Sequence, residues 1–131
     1  MALNEEQIAE VLAVLNDYVR FYNEKSESRV LALFSRTVSG FGTGKDEVVG
    51  SFAQFKERIH ADLDPANAIR LSVRVIAKGG EVPAAWVTAF CNLDGRIGRK
   101  AIHMEGRMTA VLVNRGSRCL FEQVHFSLPD E

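Results

Sequence analysis

The stretch GRMTAVLVNRGSRCLFEQVHFSLP (residues 106–129) decides the fold, because it predicts two β-strands joined by a short turn. Apolar and polar residues alternate on both sides of Arg115-Gly116-Ser117, a sequence typical of a hairpin turn. The same period of two begins near Ala68. The predicted strands cover residues 69–77, 82–92, 101–114 and 118–127, with further turns at Lys78-Gly79-Gly80 and Asp94-Gly95. The second half of the chain is therefore predicted to be an antiparallel meander.

The first half of the chain has helical periodicity instead. From Asn4 onward apolar residues recur every three or four positions, and Asn4 followed by Gln7 resembles a capping box. This pattern predicts a long amphipathic N-terminal helix. Ser51 is predicted to cap a later helix that ends at Asp64-Pro65, because proline restricts the conformation of the residue before it.

A shorter helix at 28–34 and a brief strand at 36–41 are predicted between these two helices. The glycine-rich segment GFGTGKDE (residues 40–47) then supplies a turn. A phosphate-binding loop is the alternative interpretation of its glycines. Ser39 stands where that motif needs its first glycine, and Asp46 replaces the hydroxyl residue after the lysine, so a simple turn is favoured.

Helices followed by a meander predict an α+β fold rather than a parallel sheet. We expect one domain over residues 1–131, with three N-terminal helices packed on one face of a strongly curved, mainly antiparallel sheet. The other face is expected to be apolar and to meet a second copy of the chain, giving a homodimer joined through the outer sheet face. Three apolar rows are assigned to that uncovered face: Val87, Ala89 and Cys91; Met108, Ala110 and Leu112; Val124 and Phe126.

Composition argues against several classes of function. The 131 residues have a net charge of −1, which gives no long-range field to gather nucleic acid or anionic lipid. No apolar run approaches the roughly 20 residues that a membrane helix needs, and the N-terminal MALNEEQ has no signal-peptide pattern. We therefore expect a cytoplasmic protein with no nucleic-acid or membrane partner, in which Cys91 and Cys119 are free thiols.

The opening stretch also resembles a known family. Gly-Arg-x-Thr-x-Val-Leu at 106–112, a turn, and a strand ending in His125-Phe126-Ser127 resemble the C-terminal half of SnoaL-like proteins, within the nuclear transport factor 2-like superfamily. FGTGKDE at 41–47 and Gly50 support the resemblance. It implies a cone-shaped, cystatin-like α+β fold that encloses a pocket, typically in a homodimer. Ketosteroid isomerases, polyketide cyclases and dehydratases are relatives, so the resemblance implies a small apolar or carbonyl-containing ligand.

The chain also departs from this family pattern. Cys119 stands where relatives often have a tryptophan, and Gln123 stands where they often have a second histidine. No aspartate base and tyrosine are placed convincingly like the catalytic groups of ketosteroid isomerases. Steroid isomerase activity is therefore not carried over to this chain.

His125 and Arg107 are the predicted catalytic residues. An imidazole can take and give a proton near neutral pH, and the resemblance places its strand face toward the pocket. A guanidinium among the apolar neighbours of Arg107 could bind a carboxylate or polarise a carbonyl. The alternatives are a buried histidine that orders the last strand and an arginine in a structural salt bridge, for which Glu105 is suitably placed.

Several further residues are predicted to bind the ligand through aromatic walls or polar tips. For most of them a place in the plain core is the alternative, and the amide of Gln123 could equally bond a backbone group. The predicted ligand-binding residues are Gln123, Trp86, Tyr18, Tyr22, Phe90 and Phe121. No cofactor is expected, and no metal is expected because His60, His103 and His125 lack the short spacing of a metal motif.

Together these observations predict a small-molecule pocket, with two functions left open. One is cofactor-free acid–base chemistry beside a carbonyl, of the isomerase, dehydratase or cyclase type, in which His125 moves a proton and Arg107 or Gln123 stabilises the developing oxyanion. The alternative is a non-catalytic domain that binds a metabolite or serves dimerisation. The fold alone does not decide between them.

Overall fold

The computed structural model of the protein describes residues 1–44, 46–116 and 118–129. Its helices come first in the chain and its long strands follow, which confirms the predicted α+β order. The helices are α1 Glu5–Asn23, α2 Glu27–Leu31 and α3 Phe52–Asp62. The strands are β1 Phe34–Phe41, β2 Val48–Val49, β3 Asn67–Glu81, β4 Ala84–Ile97, β5 Lys100–Asn114 and β6 Cys119–Ser127. None of the helices in these ranges is long and apolar enough to cross a membrane.

The two predicted helix caps are confirmed. The Asn4 side chain accepts a hydrogen bond from the backbone N–H of Gln7 at 2.8 Å, and the Gln7 side chain accepts one from the backbone N–H of Asn4 at 2.9 Å. Ser51 Oγ accepts a hydrogen bond from the backbone N–H of Gln54 at 3.2 Å. These contacts satisfy N–H groups that have no partner within the first helical turn, and they fix where α1 and α3 begin.

The six strands form one curved sheet in the order β2-β1-β6-β5-β4-β3. Strands β3 to β6 are an antiparallel meander, whereas β1 runs parallel to β6 and antiparallel to the short β2. Because β1 joins the sheet beside the last strand, the segment between α2 and α3 lies next to the C-terminal end of the chain. This arrangement brings the β1–β2 loop and α3 over the face of the sheet that the helices cover.

The apolar rows are the core of the protein, so their assignment to an uncovered face is wrong. Val87, Met108 and Leu112 are each at most 1% exposed, and they pack beneath the helices with buried residues of α1 and α3. The helices cover this face because burying its apolar side chains stabilises the fold, by about 1.5–3 kcal/mol for each fully buried valine, leucine or methionine. We call it the inner face; the opposite, exposed side of β3 to β6 is the outer face.

Two of the three predicted hairpin turns are misplaced. Strands β3 and β4 continue through Gly79 and Gly95, and the chain instead reverses at Val82-Pro83 and Gly98-Arg99. A Cβ at Gly79 would lie 3.2 Å from Nε1 of Trp86, and one at Gly95 would overlap the Ala68 carbonyl. These glycines permit close approach between strands rather than a turn.

The third turn connects β5 and β6 as predicted. The backbone N–H of Arg115 donates a hydrogen bond to the Arg118 carbonyl at 2.8 Å, which closes the loop. Ser117, which belongs to the predicted turn sequence, lies outside the described residues, as does Lys45 of the glycine-rich segment. The hairpin sets the register in which Met108 faces Phe126 and Thr109 faces His125.

Candidate active site

A cavity of about 80 Å³ lies between the inner face, α1, α3 and the loop that follows β1. Its walls are mostly apolar, and its volume suits several water molecules or a compact ligand. The lining residues are Tyr18, Tyr22, Phe41, Gly42, Thr43, Glu47, Val49, Phe55, Arg58, Ile59, Asp62, Leu71, Cys91, Leu93, Met104, Gly106, Val124, Phe126 and Leu128. Only three of them, Glu47, Arg58 and Asp62, have charged side chains.

Helix α1 contributes two phenols to this cavity. Tyr18 and Tyr22 are one helical turn apart, so both side chains point to the same side, and each residue is 4% exposed. Burial is the largest cause of a raised pKa for both hydroxyls; Tyr22 and Asp62 raise the pKa of Tyr18 further, and Asp62 also raises that of Tyr22. Both phenols therefore stay protonated near neutral pH and can donate a hydrogen bond.

Helix α3 contributes an arginine and an aspartate. Arg58 and Asp62 are four residues apart, and Nε of Arg58 lies 3.4 Å from Oδ1 of Asp62. The Arg58 guanidinium also pairs with the Glu47 carboxylate, which comes from the β1–β2 loop. This triad of charges connects the loop to the helix at the rim of the cavity.

Asp62 has the most unusual environment of the three. Its side chain is only 27% exposed, and burial, opposed in part by the positive charge of Arg58, raises its pKa to about 6. Glu47 raises the pKa further, whereas the facing Tyr22 hydroxyl lowers it. A carboxyl group with this pKa is largely ionised at pH 7 and can still bind a proton.

Glycines in the loop leave room for the Glu47 carboxylate. A Cβ at Gly44 would lie 2.7 Å from Oε1 of Glu47, and a Cβ at Gly42 would overlap Oε2. Within the described ranges, Oε2 of Glu47 is buried and has no hydrogen-bond partner, while Oε1 pairs with Arg58. Gly40 and Phe41 belong to β1, whereas Gly42, Thr43 and Gly44 lie in the turn predicted for this segment, which brings a carboxylate to the cavity.

Of the predicted ligand-binding residues, Tyr18 and Tyr22 line the cavity and Phe121 does not. Phe121 is fully buried in the core, with its ring centroid 4.8 Å from that of Phe34 and 5.7 Å from that of Tyr18. It supports Tyr18 from behind rather than forming the wall.

The other predicted site residues lie on the outer face, so their expected location in the pocket is wrong. Successive residues of a strand point to opposite sides. Val124 and Phe126 of β6 face the cavity, which turns the intervening residue outward, and the same alternation applies to β4 and β5. The residues corrected in this way are His125, Gln123, Arg107, Trp86 and Phe90, all of which are exposed. The His125 ring packs near that of Phe41, with 5.5 Å between centroids.

The sequence contains a signal for the residues that were missed. Phe55, Ile59 and Leu63 form the buried stripe of α3, and Arg58 and Asp62 fall at the intervening core-facing positions of the same helix. Charged side chains on the buried side of an amphipathic helix are uncommon unless paired. That pattern indicates a partly buried ion pair from sequence alone.

Comparison with known proteins agrees with this architecture. The model of the SnoaL-like domain family matches residues 11–131. No curated protein matches the chain. A proposed dehydratase of the nuclear transport factor 2-like family from Streptomyces avermitilis superposes with a TM-score of 0.86 at 11% identity, covering 98% of this chain and 100% of that one.

Two further solved structures have the same fold. A ketosteroid isomerase-like protein from Erwinia carotovora atroseptica superposes with a TM-score of 0.80 at 12% identity, covering 98% of this chain and all of the other. A proposed calcium/calmodulin-dependent protein kinase II association domain from Xanthomonas campestris gives 0.71 at 19% identity, covering 93% of this chain and 87% of that one. At these identities the similarity establishes the cone-shaped nuclear transport factor 2-like fold alone.

Proposed function

We propose that this chain, which belongs to the SnoaL-like domain family, uses its cavity for cofactor-free acid–base chemistry beside the carbonyl group of a small, mainly apolar molecule. The observation that supports this most strongly is Asp62, a carboxyl group with a pKa of about 6 at the edge of an apolar cavity that two protonated phenols also line. Acids and bases are most effective when their pKa lies near the working pH.

In this proposal the Asp62 carboxylate removes a proton from the carbon next to the carbonyl. The electron pair of the broken C–H bond forms a C=C bond to the carbonyl carbon, and the π pair of the C=O bond moves to the oxygen, which becomes negatively charged. A hydrogen bond from the Tyr18 hydroxyl stabilises that charge, and the apolar walls strengthen the bond by excluding water. Asp62 then returns the proton to another carbon in an isomerisation, or to a departing hydroxyl group in a dehydration.

Arg58 and Tyr22 position the base rather than react. Arg58 contacts Asp62 at 3.4 Å, and the Tyr22 hydroxyl faces the same carboxylate. Both interactions favour the ionised form and limit the pKa rise that burial causes. Without them the pKa would rise further, and a smaller fraction of the carboxyl group would be ionised at pH 7.

Hydrogen exchange tests this proposal without knowledge of the substrate. A panel of small ketones is incubated with the protein in D2O, and deuterium uptake next to the carbonyl is followed by NMR. We expect uptake with the wild type and a loss of about 10²-fold or more in Asp62→Asn. Asp17→Asn, which changes an exposed carboxylate on α1, is the matched control and should keep the activity.

The same experiment distinguishes the non-catalytic alternative. Saturable binding of a ketone in the cavity without deuterium uptake would assign the protein to metabolite binding and contradict the acid–base proposal. Uptake that survives Asp62→Asn would retain the reaction but remove Asp62 from it.

We also propose a homodimer joined through the outer face. Its support is the pair Trp86 and Phe90, which are 49% and 40% exposed and lie four residues apart on the outward side of β4. Aromatic residues in such positions are common at interfaces. The name of the Xanthomonas relative, an association domain, is consistent with assembly through this fold. His125, Arg107 and Gln123 lie on the same face, so any role they have is at this proposed interface.

Sedimentation of the purified protein tests the dimer. The double substitution Trp86→Ser and Phe90→Ser should convert a dimer into a monomer, whereas Ile97→Ser, at another exposed apolar position, should leave the dimer intact. A monomeric wild type, or a dimer that survives the double substitution, would refute an interface at this face.

A further inference from the structure

A second depression, separate from the cavity, lies where α2, the beginning of α3, β1 and the β5–β6 hairpin meet. It is an open groove of about 750 Å³ and shares no lining residue with the cavity. Four of its lining residues are basic: Arg36, Lys56, Arg115 and Arg118. Its described lining includes no acidic side chain. Since the whole chain has a net charge of −1, this concentration of positive charge is local.

Contacts inside the protein hold two of these cations in place. The Arg36 guanidinium lies 4.7 Å from the centroid of the Phe52 ring. Arg115 pairs with Glu122, which in turn accepts a hydrogen bond from the Thr37 hydroxyl at 2.5 Å. A guanidinium that is already oriented loses less side-chain entropy when it binds an anion.

Most of the positive charge in the groove is not neutralised by nearby carboxylates. Among the described residues, Lys56 and Arg118 belong to no ion pair within the groove, and Glu122 is the single carboxylate in contact with its basic side chains. Outside the groove, Arg20 pairs with Asp17 and Arg29 lies near Glu24. The groove therefore has an excess of positive charge over a short distance, which favours a compact anion with more than one charge.

The floor of the groove is apolar. Leu31, Phe52 and Leu120 line it and are half-buried, and the hydroxyls of Ser28 and Thr37 lie among the basic residues. Guanidinium groups match the geometry of phosphate oxygens. The Ser28 hydroxyl adds a further donor, whereas the Thr37 hydroxyl already donates to Glu122. An apolar floor would accommodate the organic part of a phosphate ester but gives no advantage to inorganic phosphate.

We propose that this groove binds a small phosphate ester with an apolar or aromatic group. The phosphate contacts Arg36, Lys56 and the hairpin arginines, and the apolar group rests on Leu31 and Leu120. A nucleic acid does not fit, because the positive region ends at the groove and the rest of the chain is acidic enough to balance it. The site is independent of the acid–base chemistry in the cavity.

An NMR titration tests the groove with phenyl phosphate as the probe, and with inorganic phosphate and phenol as comparisons. We expect saturable shifts of backbone amide signals in α2, β1 and the first turn of α3. Phenyl phosphate should bind about tenfold more tightly than either comparison, because it uses both the charges and the apolar floor. Added salt should weaken its binding.

The variants isolate the charge contribution. Arg36→Gln combined with Lys56→Gln should weaken phenyl phosphate binding about tenfold or more. Arg20→Gln combined with Arg96→Gln removes the same charge outside the groove, and Arg20 also stacks on a phenylalanine, 4.7 Å from the Phe21 centroid. This control should bind as the wild type does, and the spectrum of each variant reports whether it is folded.

Four results would overturn the proposal. In the titration these are amide signals that do not shift saturably, or that shift around the cavity instead of the groove. The others are phenyl phosphate binding that is weakened equally in both double variants, and a hexaglutamate peptide that binds more tightly than phenyl phosphate. The last would assign the groove to an acidic protein segment. None of them bears on Asp62, so the groove and the proposed chemistry of the cavity stand or fall separately.

Discussion

Strand β5 presents Met108, Ala110 and Leu112 to the helices, whereas Arg107 and Thr109 from the same strand face outward. The inner face is closed by α1 and α3 and borders a cavity, and the outer face is exposed along its length. Among the carboxyl groups of the described residues, burial on the inner side raises the pKa to about 6 at Asp62 alone. Desolvation by the helices, rather than the presence of a histidine, therefore selects the place for the proposed acid–base chemistry.

The largest expected difference between the faces is in stability. Phe121→Ala should reduce the free energy of unfolding by about 3–5 kcal/mol, because the ring is fully buried against Phe34 and Tyr18. Phe90→Ala makes the same chemical change on the outer face and should cost less than about 1 kcal/mol in the monomer. Urea denaturation of both variants measures the two values.

Equal losses in the two variants would contradict the difference between the faces. A large loss for Phe90→Ala that grows with protein concentration would instead show that the outer face is covered by another copy, which would sharpen the dimer proposal.

The next largest effect concerns catalysis. Tyr18→Phe should slow deuterium uptake by a ketone substrate about 10²–10³-fold, because it removes the hydroxyl that we propose stabilises the oxyanion. His125→Asn on the outer face should change the rate less than about twofold, a difference too small to indicate a role in proton transfer. The measurement is the initial rate of uptake at saturating ketone. A rate lost in His125→Asn and retained in Tyr18→Phe would place the chemistry on the outer face.

A smaller effect is expected in the pH dependence of stability. The pKa of Asp62 is raised in the folded protein, from 3.8 to about 6, so the folded form holds this proton more tightly than the unfolded form. Its contribution to stability is present below pH 4 and is lost as the pH rises through 6.

Between pH 4 and pH 7 the wild type should therefore lose about 2 kcal/mol of stability relative to Asp62→Asn. Denaturation of both proteins at the two pH values measures this difference. A relative gain of the wild type with rising pH would mean that pairing with Arg58 outweighs burial.

The sequence predicts well which residues of a strand share a face of the sheet, but it does not predict which face the helices cover. A period of two shows that His125 is opposite to Val124 and Phe126. It does not show which side the helices cover, because Trp86 and Phe90 make the outer face aromatic as well. That choice depends on how β1 and the helices cross the sheet, which involves contacts distant in sequence.

In the candidate site too, local patterns are predictable from the sequence and contacts between distant segments are not. Tyr18 and Tyr22 were predicted because their spacing on α1 is local, and Arg58 and Asp62 have an equally local signal on α3. Their meeting with Glu47 depends on a loop whose path is set by β1 pairing with β6. The two turns were misplaced for a local reason. A glycine that permits close approach within a strand, such as Gly79 or Gly95, cannot be distinguished by sequence from a glycine in a turn.

The most direct test is the pKa of Asp62 in the free protein, measured by carbon-13 NMR of its labelled side-chain carboxyl group. Burial beside the cavity predicts a value of about 6, and Arg58→Gln should raise it, because the favourable positive charge is removed. A value at or below the ordinary 3.8 would mean that the carboxyl group is fully hydrated or dominated by its ion pair. Asp62 would then not be a base suited to neutral pH.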